Sequence, residues 1–255
     1  EIWYDHLHRL ERHAGSNSGF DLQYEIYSEL MNSADYGVPQ KRERYFIVGF
    51  RKDIRAQFSF PSATHSKEAL LNAKFFDRSY FEDHDIAMVK NNLSANAIRR
   101  LEDWRGSNAP KTIRWRTVRD ALVGLPAPKA AQSGYWASRG HKYQSGAKSY
   151  KGHTGSPLDE PAKTLKAGVH GVPGGENMLV RTDGSVRYFT MREAARLQTF
   201  SDTYVFQGAW SVVMRQLGNA VPVALAQAVL KSVATSLIEA DMQVLSQTSP
   251  NARAI

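Results

Sequence analysis

A chain of 255 residues without a cysteine has no disulfide framework, no thiolate metal site and no cysteine nucleophile of its own. Its 42% hydrophobic content suits one large or two modest globular domains, and no apolar run approaches membrane-spanning length. The net charge of +8 is concentrated in residues 90–153, which hold 13 Lys and Arg against only Glu102, Asp103 and Asp120. Trp104, Trp115, Tyr135, Trp136, Tyr143 and Tyr150 interleave with those charges. Such a stretch suits a phosphate-binding face better than a merely solvated one.

The first residue is Glu1, which is expected of a fragment, a processed chain or a chain whose beginning is not shown. Trp3, Leu7 and Leu10 recur at helical spacing, and Asn17-Ser18-Gly19 marks a turn. Phe20 to Leu30 alternates as a strand, and Arg44 to Phe50 is apolar enough for a buried strand. The loop between them carries Gln40, Arg42 and Arg44 at period two. An extended backbone would turn all three the same way, so that two guanidiniums and an amide could fork onto a carboxylate, a phosphate or a base edge. A solvated strand entry is the plainer alternative.

Phe58, Phe60, Phe75, Phe76, Tyr80 and Phe81 can supply core, and Met88 to Trp104 reads as a helix with Arg99 and Arg100 solvated. Residues 132–175 turn to Gly, Ser, Lys, His and Tyr. The aromatics, with Pro157 and Pro161, argue for an ordered, loop-built surface where glycine permits close backbone approach to a ligand. His141, His153 and His170 match no metal-ligand spacing and are expected as polar surface residues. Residues 179–189 form a hairpin around Asp183-Gly184. Thr190 and Glu193 make a capping box for a helix from Met191. Ser211 and Gly218 bracket a second helix, and Pro222 opens a third with Ala226, Val229, Leu230, Val233 and Leu237 along one stripe. From Asp241 onward a frayed polar tail is expected.

Three ordered segments, NSADYGVPQKRERYFIVGFR, LDEPAKTLKAG and REAARLQTF followed by QLGNAVP, closely resemble motifs of the DNA (cytosine-5) methyltransferases. The resemblance implies an α/β fold: the C-terminal part of a Rossmann-like S-adenosylmethionine-dependent methyltransferase domain, with an inserted mixed, loop-rich target recognition domain. The implied division is 1–55 for the end of the catalytic domain, 56–190 for target recognition, 191–243 for helices returning to the catalytic domain and 244–255 for a tail. Arg44 would contact a flipped cytosine, with Arg42 and Gln40 at the same pocket. Asn219 and Ala220 would line part of an S-adenosylmethionine site. Thr164-Leu165 would meet the DNA backbone. Arg139, His141, Lys142, Gln144, Lys148, Lys166 and His170 are candidate readers of duplex DNA.

The family's opening half is absent from the sequence: there is no glycine-rich cofactor loop, no Pro-Cys nucleophile and no Glu-Asn-Val acid. The chemistry needs that cysteine, because a thiolate must add to C6 before C5 can attack a methyl group. The expected reading is therefore a C-terminal part or subunit, inactive alone, acting with an N-terminal catalytic half and double-stranded DNA. A bacterial cytoplasmic, nucleoid-associated restriction–modification setting goes with the resemblance, and no metal or membrane role does. The alternatives are a catalytically dead, stand-alone DNA-binding protein and, resting on charge and aromatics alone, an RNA-binding protein. The missing half implies an exposed apolar docking surface.

Overall fold

The structure is a computed structural model that describes residues 23–87, 93–107, 111–131, 133–167 and 177–248. The expectations for Trp3, Leu7, Leu10, the turn at 17–19, Met88, His170 and the end of the tail lie outside those residues. The chain falls into two compact units. One takes in the chain up to Met31, Glu43–Ser62 and Gln227 onward, and the other Asn32–Arg42 and Ala63–Ala226. Residues 191–226 cluster with the second unit.

The first unit is built on strands β1 (Tyr24–Asn32) and β2 (Glu43–Arg51), paired as a two-stranded sheet. Its core joins Tyr27, Val48, Phe50, Ile54, Ala56, Phe58 and Phe60 to Val233 and Ala240 of the terminal helix. Tyr27 meets Phe58 edge-on at 5.2 Å and Phe58 meets Phe60 at 5.0 Å, an arrangement aromatic rings favour. β2 is not the buried strand its composition suggested. Tyr45 and Ile47 are 50% and 44% exposed, because burial alternates along the strand and only its even-numbered residues turn inward.

The second unit is mixed α/β. β3 (His65–Ser66) runs parallel to β4 (Ile113–Arg114). Helix α1 (Lys67–Phe75) starts on the Ser66 hydroxyl, α2 spans Ser79–Asp83 and α3 spans Ala95–Gly106 behind a Ser94 cap. The helix read from Met88 thus begins, among described residues, at Ala95. A short α4 (Val118–Leu122) opens with a Thr117/Asp120 capping box, and α5 is Gly134–Ser138. β5 (Ser156–Pro157) pairs in parallel with β6 (Met178–Val180), which pairs antiparallel with β7 (Val186–Tyr188) around the expected Asp183-Gly184 turn. Helix α6 (Met191–Leu197) carries the Thr190/Glu193 capping box, as expected. α7 (Trp210–Asn219) starts at an Ala209 cap, not Ser211, and runs through Gly218.

Two clusters of buried residues stand out among the described residues of this unit. Leu165, Leu179, Phe189, Ala194, Leu197, Val213, Met214 and Leu217 form the larger one. Leu70, Ala73, Tyr80, Phe81 and Trp115 form the smaller. The terminal helix α8 (Val223–Thr248) is ordered past Asp241, where a frayed tail was expected. Trp210–Ser246 also reaches the length and hydropathy of a membrane-crossing segment, contrary to expectation, although only 22% of its most apolar window is buried. That run is two helices parted at Ala220-Val221-Pro222, and Lys231 and Glu239 interrupt it. Leu230 (64%), Ile238 (60%) and Leu245 (67%) are exposed along it.

Candidate functional site

The site begins with the loop that follows β1. Asn32 Oδ1 accepts from the N–H groups of Ala34 and Arg42, and Ser33 donates its hydroxyl to the carbonyl of Gln40 at 2.8 Å. Gly37 takes φ +80, and a Cβ there would press on the His65 ring. This closed loop turns Gln40 and Arg42 inward, with exposures of 0% and 1%. Among the described residues the Gln40 amide makes no hydrogen bond through either Nε2 or Oε1. A buried amide in that state is costly unless water or a ligand meets it.

Residues 39–42 lie beside the LDEPAKTL segment. Lys41 N–H donates to Ala162 O at 2.8 Å, Ala162 N–H to Pro39 O at 2.9 Å, and Thr164 Oγ1 to Lys41 O at 2.8 Å. Arg42 then joins these two segments to the end of α7. Its Nη1 donates to Leu165 O at 3.1 Å and its Nη2 to Gly218 O at 2.7 Å. A Cβ on Gly218 would sit closer than 3.0 Å to the backbone of Lys166 and Ala167, so a glycine is what lets α7 seat there. Gln198 Nε2 donates to Leu217 O from the other side. Segments 123 and 176 residues further along the chain therefore meet at the Arg42 guanidinium. Sequence reasoning took Gly218 for a helix terminator and missed this contact.

Burial alternates through Gln40, Arg42 and Arg44 as period two predicts, with Arg44 half-buried. Arg44 falls in the first unit, where its guanidinium donates to Glu43 O at 2.6 Å. Asn219 is exposed at the last position of α7, and half-exposed Ala220 closes the helix by donating to Gln216 O.

The proposed DNA readers separate into two groups. Lys142, Lys148 and Lys166 are exposed, and Thr164 is half-buried. Gln144 lines an open hollow of about 560 Å³ with Ser145, Gly146, Tyr188 and Trp210. Arg139 stacks over Tyr135 at 4.8 Å. His141 and Leu165, by contrast, are both 0% exposed. His141, expected on the surface, bridges Thr190 Oγ1 (2.9 Å) and the carbonyl of Pro126 (2.8 Å), so both ring nitrogens are committed inside the fold. Leu165 is a core residue that anchors its neighbour Thr164.

Asn177 was not foreseen. Fully buried, it accepts from Lys166 N–H and donates to Lys166 O, each at 3.0 Å. The acids near this surface are engaged internally. Asp159 pairs with Arg119 at 2.7 Å, Glu160 with Lys74 at 2.9 Å and Asp120 with Arg114 at 2.8 Å. Burial pushes the Asp159 carboxyl up, but Arg119 and the Tyr80 hydroxyl outweigh it and hold the group ionised below its ordinary range. The outward lysines thus keep a surplus of positive charge. Among the described residues no group of three or more His, Asp or Glu could hold a metal ion.

The sequence model of C-5 cytosine-specific DNA methylases matches residues 14–235. The chain belongs to that family. Among curated relatives, the type II methyltransferase M.NgoFVII of Neisseria gonorrhoeae is 30% identical over 206 residues, 81% of this chain and 48% of the relative. M.MthTI of Methanothermobacter thermautotrophicus is 25% identical over 248 residues, 87% of this chain and 59% of the relative. The chain spans about half the length of the curated relatives it matches. Among solved structures, S. pombe Dnmt2 methyltransferase matches at TM-score 0.47 and 14% identity, over 94% of this chain and 61% of that one. A putative DNA modification methyltransferase encoded within an E. coli prophage matches at TM-score 0.46 and 21% identity, over 84% and 61%.

Proposed function

We propose that this member of the C-5 cytosine-specific DNA methylase family is the C-terminal part of a DNA cytosine-5 methyltransferase. It would recognise duplex DNA by sequence and complete the pockets for a flipped cytosine and for S-adenosylmethionine. The nucleophilic cysteine would come from an N-terminal half or partner subunit, since this chain has none. The observation that carries the reading is the meeting of the QKR loop, the LDEPAKTL segment and the end of α7 at Arg42. Three family motifs that come together in space support a working site, because a relic that only bound DNA would not need all three.

In this reading Arg44, half-buried and donating to the carbonyl of Glu43, meets the flipped base. Arg42 is a positioning residue that acts through the backbone of Leu165 and Gly218. The Gln40 amide, buried and without a hydrogen bond among the described residues, offers a donor and an acceptor. Exposed Asn219 and the backbone at Ala220 suit one wall of the cofactor site, where S-adenosylmethionine would supply the methyl group. Thr164, Lys166, Lys142 and Lys148 would meet DNA. Tyr45, Ile47, Leu230, Ile238 and Leu245 expose apolar surface on the first unit, which supports a protein partner there. The setting would be the bacterial cytoplasm, at DNA.

The test is methyl transfer from labelled S-adenosylmethionine to duplex DNA, with this chain alone and mixed with the polypeptide carrying the family's Pro-Cys segment. Activity in the mixture alone supports the proposal. Activity of the isolated chain would overturn the mechanism, and sequence-specific binding with no activity in the mixture would replace it with a dead recognition module.

A further inference from the structure

Residues 158–162 are gripped from two sides. On one side the first N–H groups of α4 meet them: Val118 donates to Glu160 O at 2.9 Å and Arg119 to Leu158 O at 2.8 Å. On the other side Ala162 donates to Pro39 O and accepts from Lys41 N–H, the two residues that flank Gln40. The segment therefore carries the Gln40–Arg42 loop on its far edge.

The grip is fixed by one carboxylate. Asp159 accepts from the Tyr80 hydroxyl at 2.7 Å, from Arg119 Nε at 2.7 Å and from Arg119 Nη2 at 3.2 Å. Lys74 Nζ, on α1, donates to the carbonyl of Asp159 and to Glu160 Oε1, the latter at 2.9 Å. Tyr80 is fully buried and Lys74 is 5% exposed. Burial pushes the Tyr80 hydroxyl well above its ordinary range, so it stays protonated and donates. Tyr80 belongs to the smaller buried cluster, whereas Val118, Ala162 and Leu165 belong to the larger one. A buried ionic clamp adds little stability over apolar side chains of the same volume, because desolvation offsets its attraction. What it supplies is direction, since charge-assisted bonds hold their partners at short, defined distances.

We propose that Tyr80 and Arg119 are positioning residues for the Gln40–Arg42 loop, acting through Asp159 and the 158–162 segment. The inference rests on the methyltransferase reading above, in which that loop belongs to the base pocket, and adds the residues that hold it in place from outside the pocket. Misplacing a reacting geometry by ~1 Å costs up to ~100-fold in rate, so a clamp that sets the height of the loop has a kinetic consequence.

The experiment compares Tyr80→Phe and Arg119→Lys with the wild type. Phenylalanine keeps the buried ring and loses only the hydroxyl, and lysine keeps the charge of Arg119 without its fork. Amide hydrogen exchange on the isolated chain reads the coupling. Tyr80→Phe should speed exchange at Lys41 and Ala162 by ~10-fold more than at Ala194 in α6. Methyl transfer in the mixture with the polypeptide carrying the family's Pro-Cys segment reads the consequence. Tyr80→Phe should lower kcat by ~10-fold and leave KM for S-adenosylmethionine unchanged, and Arg119→Lys should lower kcat by less. In a Gln40→Ala background Tyr80→Phe should add nothing, because both changes act on one loop. An unchanged kcat, equal acceleration of all three amides, or additive losses with Gln40→Ala makes the clamp merely structural and overturns the inference, while the methyltransferase reading stands. A wild-type mixture without methyl transfer overturns that reading and the kinetic role of the clamp together.

Discussion

Arg42 and Gly218 are joined by a 2.7 Å hydrogen bond from Nη2 to the carbonyl, while the same guanidinium holds Leu165 O at 3.1 Å. Arg42 is 1% exposed, so water cannot replace either bond. Arg42→Ala should lower unfolding free energy by ~3 kcal/mol, because buried acceptors lose a charged donor. Arg42→Lys should recover less than half of that, since an ammonium cannot fork onto two carbonyls. Arg44→Ala, at a half-buried position, should stay within ~0.5 kcal/mol of wild type. Urea midpoints decide among these, and on the proposed reading Arg44→Ala alone removes methyl transfer from a fully folded assembly.

Gly218→Ala sets two effects against each other. Alanine favours a helix over glycine by ~1 kcal/mol, but its methyl would collide with the backbone of Lys166 and Ala167. Backbone cannot rotate away as a side chain can, so a net loss of ~2 kcal/mol is expected. Gly106, also in a helix, has nothing within 4 Å of a built Cβ, and Gly106→Ala should be neutral to stabilising. Opposite signs for the two substitutions in thermal melts would bear out the contact, and equal signs would refute it.

Stability should fall on the acid side through identified carboxyls. Burial pushes Asp120 up, but the Arg114 guanidinium and the backbone and hydroxyl of Thr117 outweigh it and hold the group at about 2. An unfolded aspartate titrates near ~3.9. The folded value is the lower one, so this contribution is complete above about pH 4 and is lost as pH falls toward 2, ~2 kcal/mol in all. Asp202 is lowered in the same sense by Arg196. Asp120→Asn should flatten the pH dependence of the urea midpoint between pH 4 and 2. An unaltered acid limb would show that Asp120 does not carry it.

His141 and Lys142 are neighbours with opposite expectations. His141→Ala removes a buried bridge between Thr190 and Pro126 and should cost ~2 kcal/mol of stability. Lys142→Ala should leave the melting curve unchanged and lower the salt slope of DNA binding by about one contact. A stable His141→Ala protein with altered DNA choice would reverse the assignment made here.

The features legible in the sequence were those whose cause is local. The Thr190/Glu193 box, the Asp183-Gly184 turn and the inward alternation from Gln40 each depend on residues a few positions apart. What stayed hidden depends on distant partners. Nothing near His141 in the chain announces Thr190, 49 residues on, and a basic, histidine-bearing stretch reads as surface until that bond is seen. Gly218 looks like a helix end because glycine usually marks one, whereas its reason is the close approach of the Lys166 and Ala167 backbone. The exposure of Tyr45 and Ile47 was hidden likewise, because an apolar composition cannot tell a strand buried on both faces from one buried on a single face.

The clasp between Asn177 and Lys166 uses both halves of one amide, as a rung between two rails. It is made entirely by residues outside the stretch from 168 to 176. One substitution at Asn177 therefore cuts both contacts of the Lys166 backbone at once, and that is the backbone a Cβ on Gly218 would meet.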